Sequence, residues 1–398
     1  MHSTRKVKDD LIYVGGSDRR LSRFENLFPI PKGVSYNSYV LLDEKTVLFD
    51  TADESISRQY IENVVHALNG RPLDYMVVQH MEPDHCAMID DMLRRYPEAK
   101  MVCSAKAVGM FAQFYGTDVA ARALVVKEGD KLSTGEHTLH FVMAPMVHWP
   151  EVMVTYDEKD KILFSADAFG TFGALNGGVT DEQLDVEPFW EEMRRYYACI
   201  VGKYGQPVQR ALAKVAPLDI AMICSTHGPV WRREIARVVE LYDKVSRYEG
   251  EPGAVIAYGS MYGNTEQMAE TVARGLAAAG VRPIVVYNLS TADVSQVLRD
   301  IFRYDTLVVG SPTYNGQLYP PVDALLRKIA ERCIPHRRFA CFGSFTWAGA
   351  AVRRMTEFAE GMKWPVVGAP VELKQGYSTA VEPACRTLVD ALVEDMKR

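Results

Sequence analysis

Two imidazoles and two carboxylates fall within six residues in the segment Q-H-M-E-P-D-H: His80, Glu82, Asp84 and His85. They follow the apolar run YMVVQ, which places them in a loop at the C-terminal end of a strand, where a rigid scaffold can hold side chains still. A single His-Glu pair would read as a solvated turn. Four ligand-type side chains at this spacing point instead to metal binding. Three more candidates hold the same position relative to their own strands: His148 after TLHFVMAPMV, Asp167 after KILFSA and His227 after IAMICST. The resulting four imidazoles and three carboxylates are too many for one tetrahedral ion, and they suit two ions sharing a carboxylate. With no thiolate in the set, iron, zinc and manganese all fit, and ligands alone do not choose among them.

A second group of residues suits phosphate and a flat ring. Ser260, Met261, Tyr262, Gly263, Asn264 and Thr265 follow the strand AVIAYG and open a helix, whose N-terminus offers backbone N–H groups to an anion. A Ser/Thr/Asn-rich helix cap would read much the same. Two further loops also sit at strand ends. One carries Pro312, Thr313, Tyr314 and Asn315; the other carries Ser344, Phe345, Thr346, Trp347, Ala348 and Gly349. Ligands of open α/β sheets bind outside the strand carboxyl ends, and Tyr314 and Trp347 suit the faces of a planar ring. Together the three resemble a flavodoxin's phosphate loop and two isoalloxazine loops, which implies flavin mononucleotide (FMN); no acidic ribose-binding residue follows a G-x-G-x-x-G, so NAD is not expected.

These loops need strands behind them. Up to about residue 230 the chain is β-rich, with short apolar runs such as SYVLLD, TVLFDTAD, LDYMVVQH, TLHFVMAP, KILFSADAF and IAMICSTHG. Helical stretches are expected near Ser55 to Leu68 and from Ala87 to Tyr96. A charged helical linker, RREIARVVELYDKVSRYEGEPG, then leads to Pro252-Gly253. Beyond it, strands (AVIAYGS, RPIVVYN, YDTLVVGSP, RRFACFGSF, WPVVG) alternate with helices, the last from about Pro383, which predicts a doubly wound parallel sheet. Two domains are expected, over residues 1–250 and 251–398.

The 398 residues are 48% hydrophobic and 24% charged, an ordinary globular composition. Lys and Arg total 45 against 51 Asp and Glu, a net charge of −6, which disfavours general nucleic-acid binding. No run approaches the roughly 18 apolar residues of a membrane span. The N-terminus MHSTRKVKDD lacks a secretory core. Seven dispersed cysteines without a Cys-x-x-Cys pair fit a reducing compartment, so a cytoplasmic location is expected.

H-x-E-x-D-H, then a lone His, a lone Asp and a His-Gly resembles the metal signature of the metallo-β-lactamase fold. Hydrolases of that fold read H-x-H-x-D-H. Glu82 in place of the middle histidine, together with a flavodoxin-like tail, is similar to the flavodiiron (A-type flavoprotein) family. SYNSY, HWP at 148–150, DAFG at 167–170 and STHGPVW at 225–231 extend the resemblance over nearly the whole chain. It implies an N-terminal metallo-β-lactamase-like αββα sandwich and a C-terminal flavodoxin-like doubly wound parallel sheet. One iron would take His80, Glu82 and His148, the second Asp84, His85 and His227, with Asp167 bridging both.

The implied reaction is reduction of dioxygen to water, of nitric oxide to nitrous oxide, or both, at a non-haem diiron centre re-reduced by FMN. Two ferrous ions and one reduced flavin would hold 1 + 1 + 2 = 4 electrons, the number that takes dioxygen to two waters. The absence of a Cys-x-x-Cys tail implies a separate electron donor, rubredoxin or a reduced deazaflavin coenzyme. A head-to-tail homodimer or dimer of dimers is likewise implied. The competing expectation is a dizinc hydrolase with an accessory flavodoxin-like domain; an electron-transfer protein with a vestigial metal site is disfavoured by retention of all seven ligand positions. Tyr196 or Tyr197 and Trp149 are expected to pack the core or line the substrate pocket. Asp50 is expected to support the site, Cys86 to pack, and His2, His66, His137, His140 and His336 to ligate nothing. DAFGTFGALNGG carries no His shortly after DAFG, where some family members have one.

Overall fold

The structure is a computed structural model that describes residues 2–397. The described chain divides into two units, one ending at Ser246 and the other beginning at Arg247.

In the first unit two sheets face each other. One runs in the order Arg5–Lys6, Leu11–Tyr13, Tyr39–Leu42, Thr46–Phe49, Tyr75–Val78, Lys100–Ser104, Ala123–Val126. The other runs Lys131–Ser133, Thr138–Met143, Met153–Asp157, Ile162–Phe164, Met222–Cys224. Apolar side chains from the two inner faces interlock: Phe49 stacks on Phe164 with ring centroids 3.7 Å apart, and Tyr39 meets the same ring edge-on at 5.7 Å. Helices cover the outer faces. Ser57–Leu68 and Ala105–Tyr115 lie on the first sheet and Gly205–Val215 on the second, completing the αββα sandwich. Ser57–Leu68 stops where Asn69 turns left-handed, with φ 46°, a conformation asparagine tolerates better than most residues.

In the second unit five parallel strands run in the order Ile284–Asn288, Glu251–Tyr258, Tyr304–Tyr314, Arg338–Phe345, Val371–Lys374. In chain order this is 2-1-3-4-5, the flavodoxin-like doubly wound arrangement, whose switch point lies between the first and third strands. Met268, Val272 and Leu276, spaced four apart on the helix Asn264–Ala278, bury one apolar stripe against Ile256, Val308 and Phe342 of the sheet.

Two sequence expectations need correction. WPVVG does not form the edge strand. Pro365 has no N–H to donate and Gly368 turns left-handed (φ 70°), so the run makes only a bridge from Val366 to Phe339, and the strand is Val371–Lys374. The expected linker holds the helix Ile235–Ser246, which buries Val238, Leu241, Tyr242 and Val245 within the first unit. The helix expected from Ala87 to Tyr96 forms over Ile89–Arg95, preceded by a separate one-turn helix over Pro83–Cys86.

Candidate metal and flavin sites

The strand Tyr75–Val78 ends just before His80, Ile162–Phe164 just before Asp167, and Met222–Cys224 just before His227. His148 lies on the turn between Thr138–Met143 and Met153–Asp157. His80 and Glu82 occupy the loop the sequence suggests, whereas Asp84 and His85 sit on the one-turn helix Pro83–Cys86. All seven side chains are buried.

They form two clusters, His80/Glu82/His148/Asp167 and Asp84/His85/His227. In the first, His148 Nε2 stands 2.9 Å from Glu82 Oε2 and 3.2 Å from Asp167 Oδ2, and His80 Nε2 stands 3.3 Å from both of those oxygens. In the second, Asp84 Oδ2 is 3.3 Å from His85 Nε2 and 3.2 Å from His227 Nε2. The other Asp167 oxygen, Oδ1, turns to this cluster, 2.9 Å from His85 Nε2 and 3.5 Å from His227 Nε2. Donors about 2.1 Å from one ion stand roughly 3.0–3.4 Å from each other, so both clusters have the spacing of a coordination shell.

The hydrogen-bond pattern suits a cation between the ligand-type side chains. His227 Nδ1 lies 2.7 Å from the Ser35 carbonyl oxygen, which only accepts, so Nδ1 carries the proton and Nε2 presents its lone pair. His80 Nδ1 is held in the same way by Glu151 Oε1 at 2.8 Å, which leaves His80 Nε2 facing His148 Nε2 at 3.4 Å and two carboxylates. Both Asp84 oxygens, both His85 ring nitrogens and His227 Nε2 are buried without a hydrogen-bond partner among the described residues. Orphaned groups at such density are costly unless an ion takes them. The donor set therefore fits two metal ions.

The surrounding residues hold the ligands in place. Glu151 also accepts from Met81 N at 2.8 Å. Thr226 Oγ1 donates to Asp167 Oδ1 at 2.7 Å, and Thr51 Oγ1 to the His85 carbonyl at 2.6 Å. Asp50 accepts from Gln79 N (2.7 Å) and Gln79 Nε2 (2.8 Å), so it anchors the residue before His80. Asp50, Ala166 and Phe169 all have positive φ (51°, 50° and 67°), strain of the kind that collects where loops position ligands. Of these supports, Ser35 lies in SYNSY and Glu151 directly follows HWP, so neighbouring motifs could have exposed them. The same holds for Thr226, which lies in STHGPVW, and for Gln79, which opens Q-H-M-E-P-D-H. Glu25, on an exposed turn, reaches back to Glu82; burial and then the Glu82 charge raise its carboxyl to about 7.

Tyr196 is fully buried, its ring 5.4 Å from that of His227, and its hydroxyl has no hydrogen-bond partner among the described residues. Trp149 stands edge-on to His80 at 5.2 Å. Tyr197 instead meets Tyr242 at 5.2 Å. Cys86 is buried and reaches the Met81 carbonyl at 3.1 Å, a packing role. His137 belongs to an ion-pair network with Asp157 (2.9 Å), Asp10 (3.1 Å) and Lys159 (3.0 Å), where the lysine already supplies the cation.

Burial disfavours charge on His85, but the Asp84 and Asp167 carboxylates outweigh it and raise the imidazole to about 9. His148 also rises to about 9, burial being overcome by its bonds to Asp167 and Glu82. Burial opposes ionisation of Asp167 as well, yet the His85 charge and bonds to His148 and His80 hold it well below the usual carboxylate range. Folded values above the ordinary 6.5 mean that these imidazoles stabilise the metal-free fold fully below that pH, and that this stability is lost as pH climbs through about 9. Metal binding needs the same imidazoles deprotonated, so metal affinity rises over that window. Chelator-treated protein is expected to lose Tm from pH 6.5 to 9 while metal-loaded protein does not; a flat Tm in the metal-free protein would refute the assignment.

The flavin loops gather at the carboxyl ends of the second unit's strands around a cavity of about 790 Å³, the size of small-molecule sites. Ser260, Thr265, Thr313, Tyr314, Ser344 and Trp347 line it. Thr265 Oγ1 meets Ser344 Oγ at 2.9 Å, joining the first loop to the third, and Thr313 Oγ1 accepts from Ala350 N at 3.0 Å, joining the second to the third. Gly263 has φ 88° immediately before the helix Asn264–Ala278, and its N–H donates to Ser260 Oγ at 3.1 Å. Gly263 thus shapes the turn without lining the cavity, and Gly349 instead abuts Glu372 and Phe345. Gln375 and Gly376, missed in the sequence, complete the wall. Misplacing the edge strand at WPVVG hid them, because they follow Val371–Lys374. A long helix's N-terminus, hydroxyls and aromatic rings around one cavity fit a phosphorylated flat cofactor such as FMN.

The ODP family of β-lactamase-like domains matches residues 34–228 and the flavodoxin family residues 256–387. The anaerobic nitric oxide reductase flavorubredoxin of Escherichia coli (strain K12 / DH10B) is 32% identical over 355 residues, 88% of this chain and 74% of that protein. The chain belongs to the flavodiiron protein family. Rubredoxin:oxygen oxidoreductase from Desulfovibrio gigas superposes on this flavodiiron protein with TM-score 0.94 at 28% identity, covering 99% of each chain. The flavodiiron protein from Giardia intestinalis does so with TM-score 0.94 at 25% identity, over 99% of this chain and 97% of that one.

Proposed function

We propose that this flavodiiron protein reduces dioxygen to water, nitric oxide to nitrous oxide, or both, as a scavenger of these gases. The carrying observation is Asp167, whose Oδ2 faces one ligand cluster and whose Oδ1 faces the other. His80, Glu82 and His148 would hold one iron, Asp84, His85 and His227 a second, with Asp167 offering one oxygen to each set, and these ions together with FMN held by the loops of the second unit would supply the electrons. The chain's own residues orient and protonate. The Ser35 carbonyl and Glu151 fix the His227 and His80 tautomers, Thr226 steers Asp167, and the unpartnered Tyr196 hydroxyl beside His227 is placed to donate a hydrogen bond to bound gas. Trp149 packs edge-on against His80. Four electrons and four protons turn dioxygen into two waters; two of each turn two nitric oxides into nitrous oxide and water.

The electron donor on this reading is rubredoxin or a reduced deazaflavin coenzyme. The assembly is a head-to-tail homodimer or a dimer of dimers, a reading supported by Tyr262 and Trp347 on the flavin cavity, 90% and 89% exposed. No helix among the described residues is long and apolar enough to cross a membrane, and we place the protein in the cytoplasm.

Metal and flavin content of anaerobically purified protein tests the reading. About two irons and one FMN per chain, with turnover of dioxygen or nitric oxide, are expected. Two zincs with ester or phosphodiester hydrolysis and no gas reduction would replace it with the hydrolase reading.

A further inference from the structure

The helices Gly205–Val215 and Ile235–Ser246 of the first unit lie side by side on the second sheet and leave a groove of about 550 Å³ between them. Its walls are almost wholly apolar, with Leu212 and Ala216 on one side, Ile235 and Val239 on the other, and Ile223 below. Beneath it lies a second, smaller cavity with about 20 Å³ of room for the centre of a water-sized sphere, enough for one small molecule. Groove and cavity share four wall residues, Leu163, Phe169, Leu212 and Val215, so Leu212 stands on the partition between them.

The inner cavity offers water few groups to bond. Its polar side chains are Ser165, whose hydroxyl already donates to the Ala168 carbonyl at 2.8 Å, and Tyr242, whose hydroxyl oxygen lies near the backbone N–H groups of Phe169 and Gly170 but has no acceptor for its own proton among the described residues. Apolar cavities of this kind stay dry and take up uncharged guests such as xenon. The inner wall also includes Val147 and Ala168, the sequence neighbours of His148 and Asp167. Phe169 and Tyr242, with ring centroids 4.6 Å apart, belong to the same wall.

We propose that groove and cavity form an apolar entry route and waiting pocket for the diatomic gas, resting on the functional reading above. Dioxygen and nitric oxide are small and nearly apolar, so transfer from water into a dry apolar cavity is favourable, whereas protons and water are excluded from it. The edge of the metal centre at Glu82 and Asp84, whose side chains keep 11% and 10% exposure with Glu25 alongside, has the opposite chemistry. Substrate and protons thus arrive by separate paths, and the gas concentrates next to the ligand loops without water following.

The test combines crystals of the intact protein pressurised with xenon and steady-state kinetics of Leu212→Trp. Leu212 ligates nothing and is partly exposed, so a larger ring there plugs the partition without touching a ligand. Xenon is expected in the inner cavity of the unaltered protein and absent from the variant. The variant's kcat/KM for gas is expected to fall several-fold, with kcat at saturating gas, iron and FMN unchanged; Leu212→Ala is expected to shift kcat/KM the other way. An empty cavity under xenon, or gas kinetics indifferent to both substitutions in a protein that turns over, would overturn the route alone. Unaltered, metal-loaded protein that reduces neither gas would sink the functional reading itself, and the route with it.

Discussion

Asp167→Ala is expected to abolish gas reduction while leaving the flavin bound. Asp167 lies within 3.5 Å of imidazoles from both clusters, with His80 and His148 on one oxygen and His85 and His227 on the other. Removing it takes a donor from both ions at once and leaves four buried imidazoles with less negative charge to offset any metal. Loss of an outer hydrogen-bond partner to a ligand costs about 10–100-fold in metal affinity or activity, and loss of a shared ligand is expected to exceed that range. Metal analysis should find the pair emptied or reduced to one ion, and FMN absorbance should persist because the flavin loops belong to the other unit. Asp167→Asn keeps the shape and loses the charge, so it should fail similarly. Retention of two irons and full turnover in Asp167→Ala would refute the bridge.

Gly263→Val is expected to have the complementary effect, with FMN weakened and metal spared. Nothing lies within 4 Å of a Cβ placed at Gly263, so a clash at that atom is not the cause. The cause is φ 88°, in the region that a β-branched residue adopts at a cost of about 1–3 kcal/mol. Relief comes by letting the Ser260–Thr265 turn leave its conformation, which pulls the helix N-terminus and the Ser260 hydroxyl off the phosphate position. If the strain falls wholly on the bound form, FMN affinity drops roughly 5- to 150-fold. Flavin titration of the metal-loaded variant measures this, and unchanged affinity would place the phosphate elsewhere.

The candidate ligands were legible as ligand-type residues because each follows a short apolar run, and the end of a strand can be read without knowing what the strand pairs with. His80, His148, Asp167 and His227 lie far apart in sequence, yet all four were readable in that way. The edge strand was less legible. WPVVG and VELK are comparable as strand formers, and only the left-handed turn at Gly368 and the missing Pro365 N–H decide between them. Its misplacement concealed Gln375 and Gly376 at the flavin cavity. The helix Ile235–Ser246 read as a linker because its exposed face is charged; its buried stripe of Val238, Leu241, Tyr242 and Val245 becomes evident only against the sheet it covers.

The sequence by itself determined the kind of chemistry: nitrogen and oxygen donors without thiolates, a glycine-bearing turn before a helix, and the strand–helix alternation that places the flavin loops. Tertiary structure decided which Asp167 oxygen serves which cluster, which imidazole nitrogen carries its proton, and that Glu151 and Ser35 set those tautomers. It also decided that two helices leave an apolar path to the ligand loops. Residue type and local pattern are encoded along the chain. Lone-pair direction and empty space depend on atoms brought together from distant segments, and only packing specifies those.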